Sequence, residues 1–492
     1  MYQITGNNLS IHQVVAIARN NEAVTLSQQA IDNIKKSRNY VEKIVNENRV
    51  CYGINTGFGK FSDIVISKDE LSTLQRNLII SHACGTGENF EEEIVRGIML
   101  LRVNALSAGF SGVRLETVQT LVEMLNKGVH PVIPSKGSLG ASGDLAPLSH
   151  MVLTLIGEGE AIYKNKKMSS KEAMNLAGIA TIELQAKEGL ALINGTQAMC
   201  AIACLAWFDA EKISQWADKA GALTMEALNG IRDAFNPLVH QIRRQKGQME
   251  TAKNILELLE GSERITNQGE LRVQDAYTLR CIPQVHGPGK DTLADAKIKI
   301  ENEINAVTDN PLIFPDEDLV ISGGNFHGQV LALNMDFMAI AVAEFANISE
   351  RRIERLVNPA LSNLPAFLTP NGGLNSGFMI AQYVAAALVS ENKIYAHPAS
   401  VDSIPSSANQ EDHVSMGLTA GLKLREIIKN TQAVLGIELV CAAQAIDLKP
   451  GKKLGKGTNW VYTKLRENVP FIAEDVYLKP LLDQGKDLII KN

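Results

Sequence analysis

Apolar residues recur every three or four positions along most of this chain, which is the spacing of an amphipathic helix. Glycine and proline interrupt the pattern often in the first 190 residues, so short helices separated by turns are expected there. One of them begins after Ser10, a favoured N-cap residue, and carries Ile11, Val14 and Ile17 on one face. The other helices predicted in this part cover residues 27–48, 68–81, 91–108, 114–126 and 145–157, and a hairpin is predicted over residues 161–168.

Beyond Asn194 the predicted helices are longer and contain few glycines. They cover residues 195–220, 293–307, 328–356, 375–394 and 418–447. Long helices that are rich in alanine and leucine and poor in aromatic residues are typical of a bundle. Several carry more apolar surface than a single chain would expose, so contacts between copies are expected. We therefore predict a mainly α fold, with a smaller α-rich N-terminal lobe with short strands over residues 1–195 and a long-helix bundle that forms the oligomer over residues 196–492.

Composition narrows the possible functions. The 492 residues carry a formal net charge of −6 without a basic stripe, which argues against nucleic acid as a partner. The N-terminus lacks the basic and apolar regions of a signal peptide, and no apolar stretch reaches the ~20 residues of a membrane span. Cys200 and Cys204 lie one helical turn apart without the second pair of ligands that a zinc site needs. These features predict a reduced, cytoplasmic protein with neither a metal nor a membrane partner.

The stretch from Lys136 to Leu148 contains three glycines and ends in Asp-Leu-Ala-Pro-Leu, a composition unsuited to the interior of a helix or strand. It differs from a nucleophile elbow because position 144 is Asp rather than Gly, and it lacks the Gly-Lys-Ser/Thr of a P-loop. In Ala141-Ser142-Gly143, the glycine nitrogen can attack the alanine carbonyl because no Cβ blocks the approach. Loss of one water closes a five-membered ring, and loss of a second from the serine leaves an electrophilic C=CH₂ group.

This stretch resembles the segment that forms the methylidene-imidazolone (MIO) cofactor in the aromatic amino acid ammonia-lyases, and the similarity extends over nearly the whole chain. Four further segments carry it: Cys51–Gly59, Leu192–Gln197, Gln274–Gly287 and Gly323–Gly328. The resemblance implies a fumarase/aspartase-like fold, an MIO made from Ala141, Ser142 and Gly143 without an external cofactor, and a homotetramer. In that tetramer each active site is expected to combine loops from several subunits.

The same resemblance implies a role for individual residues. Tyr52 is expected to remove the substrate β-proton, which requires its pKa to be depressed from about 10. Arg280 is expected to clamp the substrate carboxylate, since a guanidinium binds carboxylates bidentately. The other residues implied are Asn194 near the MIO carbonyl and the carboxylate, Gln274 and Tyr277 flanking the MIO, and Phe326 packing against it.

Two segments bear on the substrate. Ser81-His82 matches the pair found in histidine-type members, whereas His-Leu accompanies tyrosine and Phe-Leu accompanies phenylalanine. Glu411 lies in a segment that is also similar to the histidine type. An imidazole offers one donor and one acceptor nitrogen, which suits polar pocket residues such as His82 and Glu411. The resemblance therefore implies conversion of L-histidine to trans-urocanate and ammonia, the first step of histidine degradation.

Several alternatives stay open at this point. The chain could be a tyrosine or phenylalanine ammonia-lyase or an aminomutase with the same cofactor, or a non-catalytic helical protein in which MIO never forms. A fumarase-like lyase with a serine base is disfavoured because its G-S-S-x-M-P signature is absent. The sequence does not decide whether the substrate amine or its aromatic ring attacks the MIO. It also leaves open whether His327 is catalytic, and whether Asp144 assists ring closure or caps the following helix.

Overall fold

The computed structural model describes all 492 residues and is dominated by helices, which confirms the predicted mainly α class. The helices are α1 (Ile11–Arg19), α2 (Gln28–Asn46), α3 (Leu71–His82), α4 (Glu92–Ser107), α5 (Leu115–Lys127), α6 (Leu145–Leu155), α7 (Ser170–Ala177), α8 (Glu188–Ile193), α9 (Gln197–Ala227), α10 (Pro237–Arg243), α11 (Lys246–Leu258), α12 (Tyr277–Arg280), α13 (Ile282–Ile304), α14 (Gln329–Val357), α15 (Pro359–Ser362), α16 (Met379–Tyr395), α17 (Gly417–Asp447), α18 (Lys456–Arg466) and α19 (Lys479–Lys491). The strands are β1 (Tyr2–Ile4), β2 (Val24–Leu26), β3 (Thr86–Asn89), β4 (Val129–Pro131), β5 (Pro134–Lys136), β6 (Glu160–Tyr163), β7 (Lys166–Ser169), β8 (Leu312–Phe314) and β9 (Leu319–Ile321).

The early helices begin where their capping residues predict. Ser10 forms a capping box with Gln13, in which each side chain bonds the other residue's backbone N–H. Ser27 accepts a hydrogen bond from the N–H of Ala30 at the start of α2. Both serines satisfy amides that have no partner within the helix. Local chemistry therefore decides where these helices start.

The chain forms two compact units, each assembled from three segments. Unit 1 comprises Met1–Phe208, Lys297–Asp336 and Pro398–Leu422. Unit 2 comprises Asp209–Ala296, Phe337–His397 and Lys423–Asn492. The division of the chain at residue 195 into a lobe and a bundle stays a prediction.

All nine strands lie in unit 1 and form small sheets. Strands β1 and β2 pair in parallel, while β3–β5 and β8–β9 are antiparallel pairs. Strands β4, β6 and β7 form a three-stranded antiparallel sheet, and β6–β7 is the predicted hairpin. These short strands position loops around the helices and make no extended sheet.

The centre of unit 1 is α4, in which every residue from Ile94 to Ser107 is buried. A helix buried on all sides normally lacks charge, yet α4 contains two arginines. Arg96 donates to the carbonyls of Ile17 and Leu125, and Arg102 donates to those of Ala191 and Asn194. Unit 1 is therefore built around a helix whose buried arginines donate mainly to backbone carbonyls.

Unit 2 has a buried ion pair at its centre. Glu438 on α17 accepts hydrogen bonds from Arg352 on α14 at 2.5 and 2.8 Å, and both side chains are fully buried. Thr224 and Ser349 donate their hydroxyls to the same carboxylate at 2.7 and 2.6 Å. Three helices are thus joined through one carboxylate.

One long helix differs from its prediction. The sequence predicts a helix over residues 293–307, but α13 begins eleven residues earlier, at Ile282, and contains Pro288. Pro283, Gly287 and Pro288 all disfavour helix in this stretch. Packing overrides this preference, because Gly287 lies so close to Gly247 that a Cβ atom on either would meet the other's backbone within 3.0 Å.

One helix, α14, is long and apolar enough to cross a membrane by length and composition alone. More than half of its most apolar window is buried inside the structure, at 56%. The core helix of a globular fold has the same properties, so this helix does not indicate a membrane span.

The Glu438→Gln substitution tests the buried pair. It leaves the Arg352 charge buried without a counter-charge, so we expect a loss of about 3–5 kcal/mol in the stability of unit 2. The urea midpoint followed by tryptophan fluorescence measures this, because Trp216 and Trp460 both lie in unit 2.

Asp487→Asn is the matched control. It removes an exposed i,i+4 partner of Lys491, an interaction worth about 0.5 kcal/mol or less. Equal midpoints for the two variants would contradict the importance of the buried pair.

Candidate active site

The predicted cofactor segment rests on a close contact between two glycines. Gly143 has φ +73° and Gly195 has φ +157°, and the two residues pair as a parallel bridge. A Cβ atom on Gly143 would lie 2.1 Å from the Gly195 carbonyl oxygen, so no larger residue fits there without a backbone shift. Asp144 donates its N–H to that same oxygen at 2.7 Å. The turn between α8 and α9 is therefore fastened to the segment Ala141–Gly143.

The buried side chain of Asp144 also joins the Ala141–Gly143 segment to the start of α9. Its fully buried carboxylate accepts hydrogen bonds from the Ser138 hydroxyl at 2.8 Å and from the Met199 N–H at 2.9 Å. Burial raises the pKa of Asp144 to about 6, and these hydrogen bonds oppose the shift. The side chain makes no capping bond to α6. The capping alternative is therefore wrong for α6, and the carboxylate instead satisfies the first turn of α9.

Ser142 is bonded to a residue 269 positions away. Its hydroxyl donates to one carboxylate oxygen of Glu411 at 2.5 Å. The other oxygen of Glu411 accepts the Ser406 hydroxyl at 3.0 Å. Ser415 donates its hydroxyl to the Gly140 carbonyl at 2.9 Å, which fixes the same loop to the cofactor segment. The Glu411 loop and the Ser142 segment thus form one wall of the site.

The residues around Ser142 fit the MIO group that the resemblance implies. Gly143 has no Cβ, as attack by its nitrogen on the Ala141 carbonyl requires, and both residues are buried. Asn194 is nearly fully buried, and its side-chain oxygen has no hydrogen-bond partner. An unpaired buried acceptor is unusual in a folded protein and indicates a place for a polar ligand. Ala141, Ser142 and Gly143 would form the group, and Asn194 would face it.

A cavity of about 830 Å³ opens in front of Ser142. Its size is within the range of small-molecule sites. It is lined by Tyr52, Gly57, Phe58, Gly59, Lys60, Phe61, Ile64, Ile66, Leu74, Asn77, Leu78, Ser81, His82, Ser142, Leu145, Leu190, Ile193, Asn194, Ser407, Ala408 and Glu411. All of these residues belong to unit 1. Six of the predicted site residues meet here although they come from five separate parts of the sequence: Tyr52, Ser81, His82, Ser142, Asn194 and Glu411.

Tyr52 lies in the loop between α2 and α3, and its phenol oxygen accepts the N–H of Gly59 at 3.4 Å. Burial raises the pKa of Tyr52, and the negative charge of Glu411 raises it further, while the bond from Gly59 lowers it. A base needs the opposite shift. Within one chain, therefore, the surroundings of Tyr52 do not depress its pKa as its expected role requires.

His82 ends α3 and faces the same cavity. Its Nδ1 lies 3.0 Å from the Ser81 hydroxyl, which in turn donates to the carbonyl of Leu78. Burial lowers the pKa of His82, against smaller opposing effects of the Leu78 carbonyl and of Glu411. The ring is therefore neutral near pH 7 and has one donor and one acceptor nitrogen.

The remaining predicted site residues do not line this cavity. Gln274, Tyr277 and Arg280 belong to unit 2, where Tyr277 is 72% exposed and the Arg280 guanidinium lies 4.5 Å from its ring centroid. The Nε of Arg280 is buried and has no hydrogen-bond partner. Phe326 belongs to unit 1 but is also absent from the cavity wall.

His327, whose role the sequence leaves open, stacks on His413. The ring centroids are 5.3 Å apart, and Nε2 of His327 lies 3.2 Å from Nδ1 of His413. The pair joins the Phe326 segment to the Glu411 loop. Burial and the neighbouring ring lower the pKa of His327.

Arg102 is a site component that the sequence reasoning missed. This fully buried residue of α4 donates to the carbonyls of Ala191 and Asn194 at 2.5 and 3.0 Å and to the side chain of Gln197 at 2.6 Å. It therefore holds the end of α8, the Asn194–Gly195 turn and the start of α9. Burial lowers the pKa of Arg102 to about 10, so it stays charged near pH 7. An arginine inside an otherwise apolar helix is the signal that could have identified it.

Known proteins resemble this chain in both sequence and fold. Residues 9–467 match the family model described as aromatic amino acid lyase. The histidine ammonia-lyase of Alkaliphilus metalliredigens is 62% identical over 489 residues, which cover 99% of this chain and 96% of that protein. The one from Caldanaerobacter subterraneus is 61% identical over 472 residues, covering 96% and 93%.

Solved structures show the same fold. The crystal structure of histidine ammonia-lyase from Trypanosoma cruzi matches with a TM-score of 0.93 at 43% identity, covering 100% of this chain and 93% of that one. A phenylalanine aminomutase from Pantoea agglomerans matches with a TM-score of 0.96 at 35% identity, covering 99% of both. Because proteins with different named substrates share the fold, the fold alone does not determine the substrate.

Arg102→Lys tests whether this arginine positions the glycine contact. A lysine cannot reach all three acceptors, so we expect fewer chains to lose the two waters of MIO formation. Intact mass of the purified protein measures this without any substrate.

Arg96→Lys is the control, because Arg96 is on the same helix and also serves buried carbonyls, away from the cavity. In each variant, every hydrogen bond lost from the charged guanidinium costs roughly 1.5–3 kcal/mol of stability. Two results would contradict a positioning role for Arg102. One is that all Arg102→Lys chains lose both waters, and the other is that loss of the waters is equally incomplete in Arg96→Lys.

Proposed function

This chain belongs to the aromatic amino acid lyase family, and on that premise we propose that it eliminates ammonia from L-histidine to give trans-urocanate. This is a carbon–nitrogen lyase reaction and would be the first step of histidine degradation. The observation that carries the substrate assignment is the polar wall of the cavity, where His82 and Glu411 lie in front of Ser142. The proposed cofactor is an MIO formed from Ala141, Ser142 and Gly143, which supplies an electrophilic carbon that no ordinary side chain provides.

His82 and Glu411 are proposed to hold the imidazole ring. A neutral His82 can donate to or accept from a ring nitrogen, and a carboxylate accepts from the protonated one. Tyrosine or phenylalanine would leave these half-buried groups without a partner on the ring, at a cost of roughly 1–3 kcal/mol for each. The tyrosine and phenylalanine alternatives are disfavoured for this reason.

Tyr52 is proposed to remove the β-proton, and Asn194 to hydrogen-bond the substrate carboxylate. Because the surroundings within one chain raise the pKa of Tyr52, a positive charge must come from elsewhere. Arg280 is the proposed source as well as the carboxylate clamp, since its partly buried guanidinium has an unpaired N–H. We propose that Arg280 reaches the cavity from another copy of the chain, together with Gln274, Tyr277 and Phe326.

Exposed apolar surfaces support assembly into the proposed homotetramer. On α14, Phe337 and Ile340 are 52% and 46% exposed, and on α16, Ile380 and Tyr383 are 54% and 59% exposed. Neighbouring apolar side chains exposed on long helices commonly form interfaces. All six cysteines are free thiols, which agrees with the proposed cytoplasmic location.

Parallel assays with L-histidine, L-tyrosine and L-phenylalanine test the substrate. We expect ammonia and urocanate from histidine alone, followed by near-ultraviolet absorbance. In His82→Leu, kcat/KM for histidine should fall roughly 5- to 150-fold, since one buried hydrogen bond is lost. The double change Ser81→His with His82→Leu should shift the preference toward tyrosine. Coumarate or cinnamate from the unmodified protein would overturn the pocket assignment.

Mixed oligomers test whether the cavity and Arg280 come from different copies. Tyr52→Phe and Arg280→Met should each be nearly inactive, whereas their co-expression should restore about a quarter of the sites if the copies mix at random. Tyr52→Phe co-expressed with Ser142→Ala is the matched control, because both residues line the cavity of one chain and no mixed site can be complete. No recovery in the first mixture would place Arg280 and Tyr52 of a functional site in the same chain.

A further inference from the structure

The hydrogen bond between Ser142 and Glu411 joins a cofactor-forming residue to a substrate-binding one. The Ser142 hydroxyl donates to one carboxylate oxygen of Glu411 at 2.5 Å. An imidazole-binding role for Glu411 does not require this contact. It therefore calls for an explanation in the chemistry of Ser142 itself.

We infer that Glu411 is the proton-transfer group for the dehydration of Ser142, the second water loss of MIO formation. This inference rests on the proposed function, because it concerns the making of the proposed cofactor. It assigns to Glu411 a role that precedes any contact with substrate.

The step balances within the chain. After ring closure between Gly143 N and the Ala141 carbonyl carbon, the Cα–H bond of Ser142 breaks, and its electron pair forms the Cα=Cβ double bond. The Cβ–Oγ bond breaks, and the oxygen leaves as water with its own proton and one more. Glu411 accepts the proton from Cα and delivers it to Oγ, and so returns to its starting charge. No oxidant, reductant or metal takes part in this balance.

Glu411 is held in place for such a transfer. Its second carboxylate oxygen accepts the Ser406 hydroxyl, and its backbone pairs with Ser406 in both directions at 2.9 and 3.3 Å. Met416 donates its N–H to the carbonyl of Leu139 at 2.9 Å, so the end of the loop is attached next to the cofactor segment. The carboxylate therefore approaches Ser142 from a fixed direction.

Asp144, Tyr52 and His82 have other hydrogen-bond partners, and Lys60, which also lines the cavity, makes no hydrogen bond with Ser142. The carboxylate of Asp144 accepts from Ser138 and Met199. Tyr52 is bonded to Gly59, and His82 is bonded to Ser81. Among the side chains of the cavity, Glu411 is the one that the structure places in contact with the Ser142 hydroxyl.

The order of the two roles follows from the chemistry. While Ser142 keeps its hydroxyl, one oxygen of Glu411 is occupied. Departure of that hydroxyl as water frees the same oxygen for an imidazole N–H. Completion of the cofactor would therefore also complete the substrate pocket.

Intact-mass measurement of purified protein, without substrate, tests the inference. The unmodified chain should lack two waters, and Ser142→Ala can lack no more than one. Glu411→Gln keeps the shape but cannot transfer a proton, so it should stop after one water or lose the second roughly 100-fold more slowly. Freshly synthesised chains followed over time give this rate.

His82→Leu is the matched control. It removes the other proposed imidazole partner but does not touch Ser142, so it should lose both waters at the normal rate while binding histidine poorly. Glu411→Asp provides a second test if Glu411→Gln fails to fold, as judged by circular dichroism. Its carboxylate can still transfer a proton but from farther away, so dehydration should be slower than normal and yet reach completion.

Loss of both waters at the normal rate in Glu411→Gln, or in Glu411→Asp if the first does not fold, would overturn the inference. The proposed function would survive that result if the unmodified chain still converted histidine. An unmodified chain that lacks neither water would instead refute the proposed cofactor. The two failures are therefore distinguishable.

Discussion

The contact between Gly143 and Gly195 is the constraint on which the rest of the site depends. The two backbones are too close for any side chain between them, and Asp144 N–H closes the contact on the Gly195 carbonyl. The contact places Asn194 beside the segment that is proposed to react. Two buried ionisable groups stabilise it from either side, since Asp144 binds the first turn of α9 and Arg102 binds the last carbonyls of α8. A reactive backbone segment needs such rigid support, because ring closure requires two backbone atoms to approach more closely than an ordinary turn allows.

The charges within one chain suit His82 and Glu411 to their proposed roles, but they do not suit Tyr52 to its proposed role as a base. The neutral His82 already faces the cavity, and Glu411 is anchored beside it, with one carboxylate oxygen bonded to Ser142 until that hydroxyl leaves. Tyr52 is not ready, because burial and Glu411 both raise its pKa. The carboxylate proposed to bind the imidazole thus raises the pKa of the tyrosine proposed as the base. A site with this conflict needs an added positive charge, which is why assembly and catalysis are connected in our proposal.

The sequence predicts the parts of the fold that local chemistry determines. Ser10 and Ser27 begin their helices as capping residues do, and α14 and α17 follow their apolar period closely. The predicted start of α13 was wrong because Gly287 and Pro288 disfavour helix locally. The close packing against Gly247 nevertheless requires a glycine at position 287 within the helix. Local preference is reliable where tertiary packing does not compete with it.

The site was predictable only as far as motifs identify residues. They indicate Ser142 and Glu411 separately, but no local pattern shows that residues 269 positions apart share a hydrogen bond. Asp144 illustrates the same limit, since an aspartate before a helix predicts a cap for that helix, whereas its side chain serves α9. Arg102 belongs to no motif that the sequence reveals. Its partners are two backbone carbonyls and the Gln197 side chain, and none of them is an acidic residue.

The distribution of these residues over the fold has a consequence for how the pocket can change. Ser81 and His82 lie at the end of α3 and make no hydrogen bond to Gly143 or Gly195. Substitutions there are therefore expected to change the proposed ring pocket and leave the glycine contact intact. Glu411 lacks this freedom, because its carboxylate contacts both the cavity and Ser142. A change at Glu411 alters the precursor of the electrophile together with the pocket. Substitutions at Ser81 and His82 are therefore expected to change substrate preference alone. A substitution at Glu411 is expected to change substrate preference and formation of the proposed cofactor together.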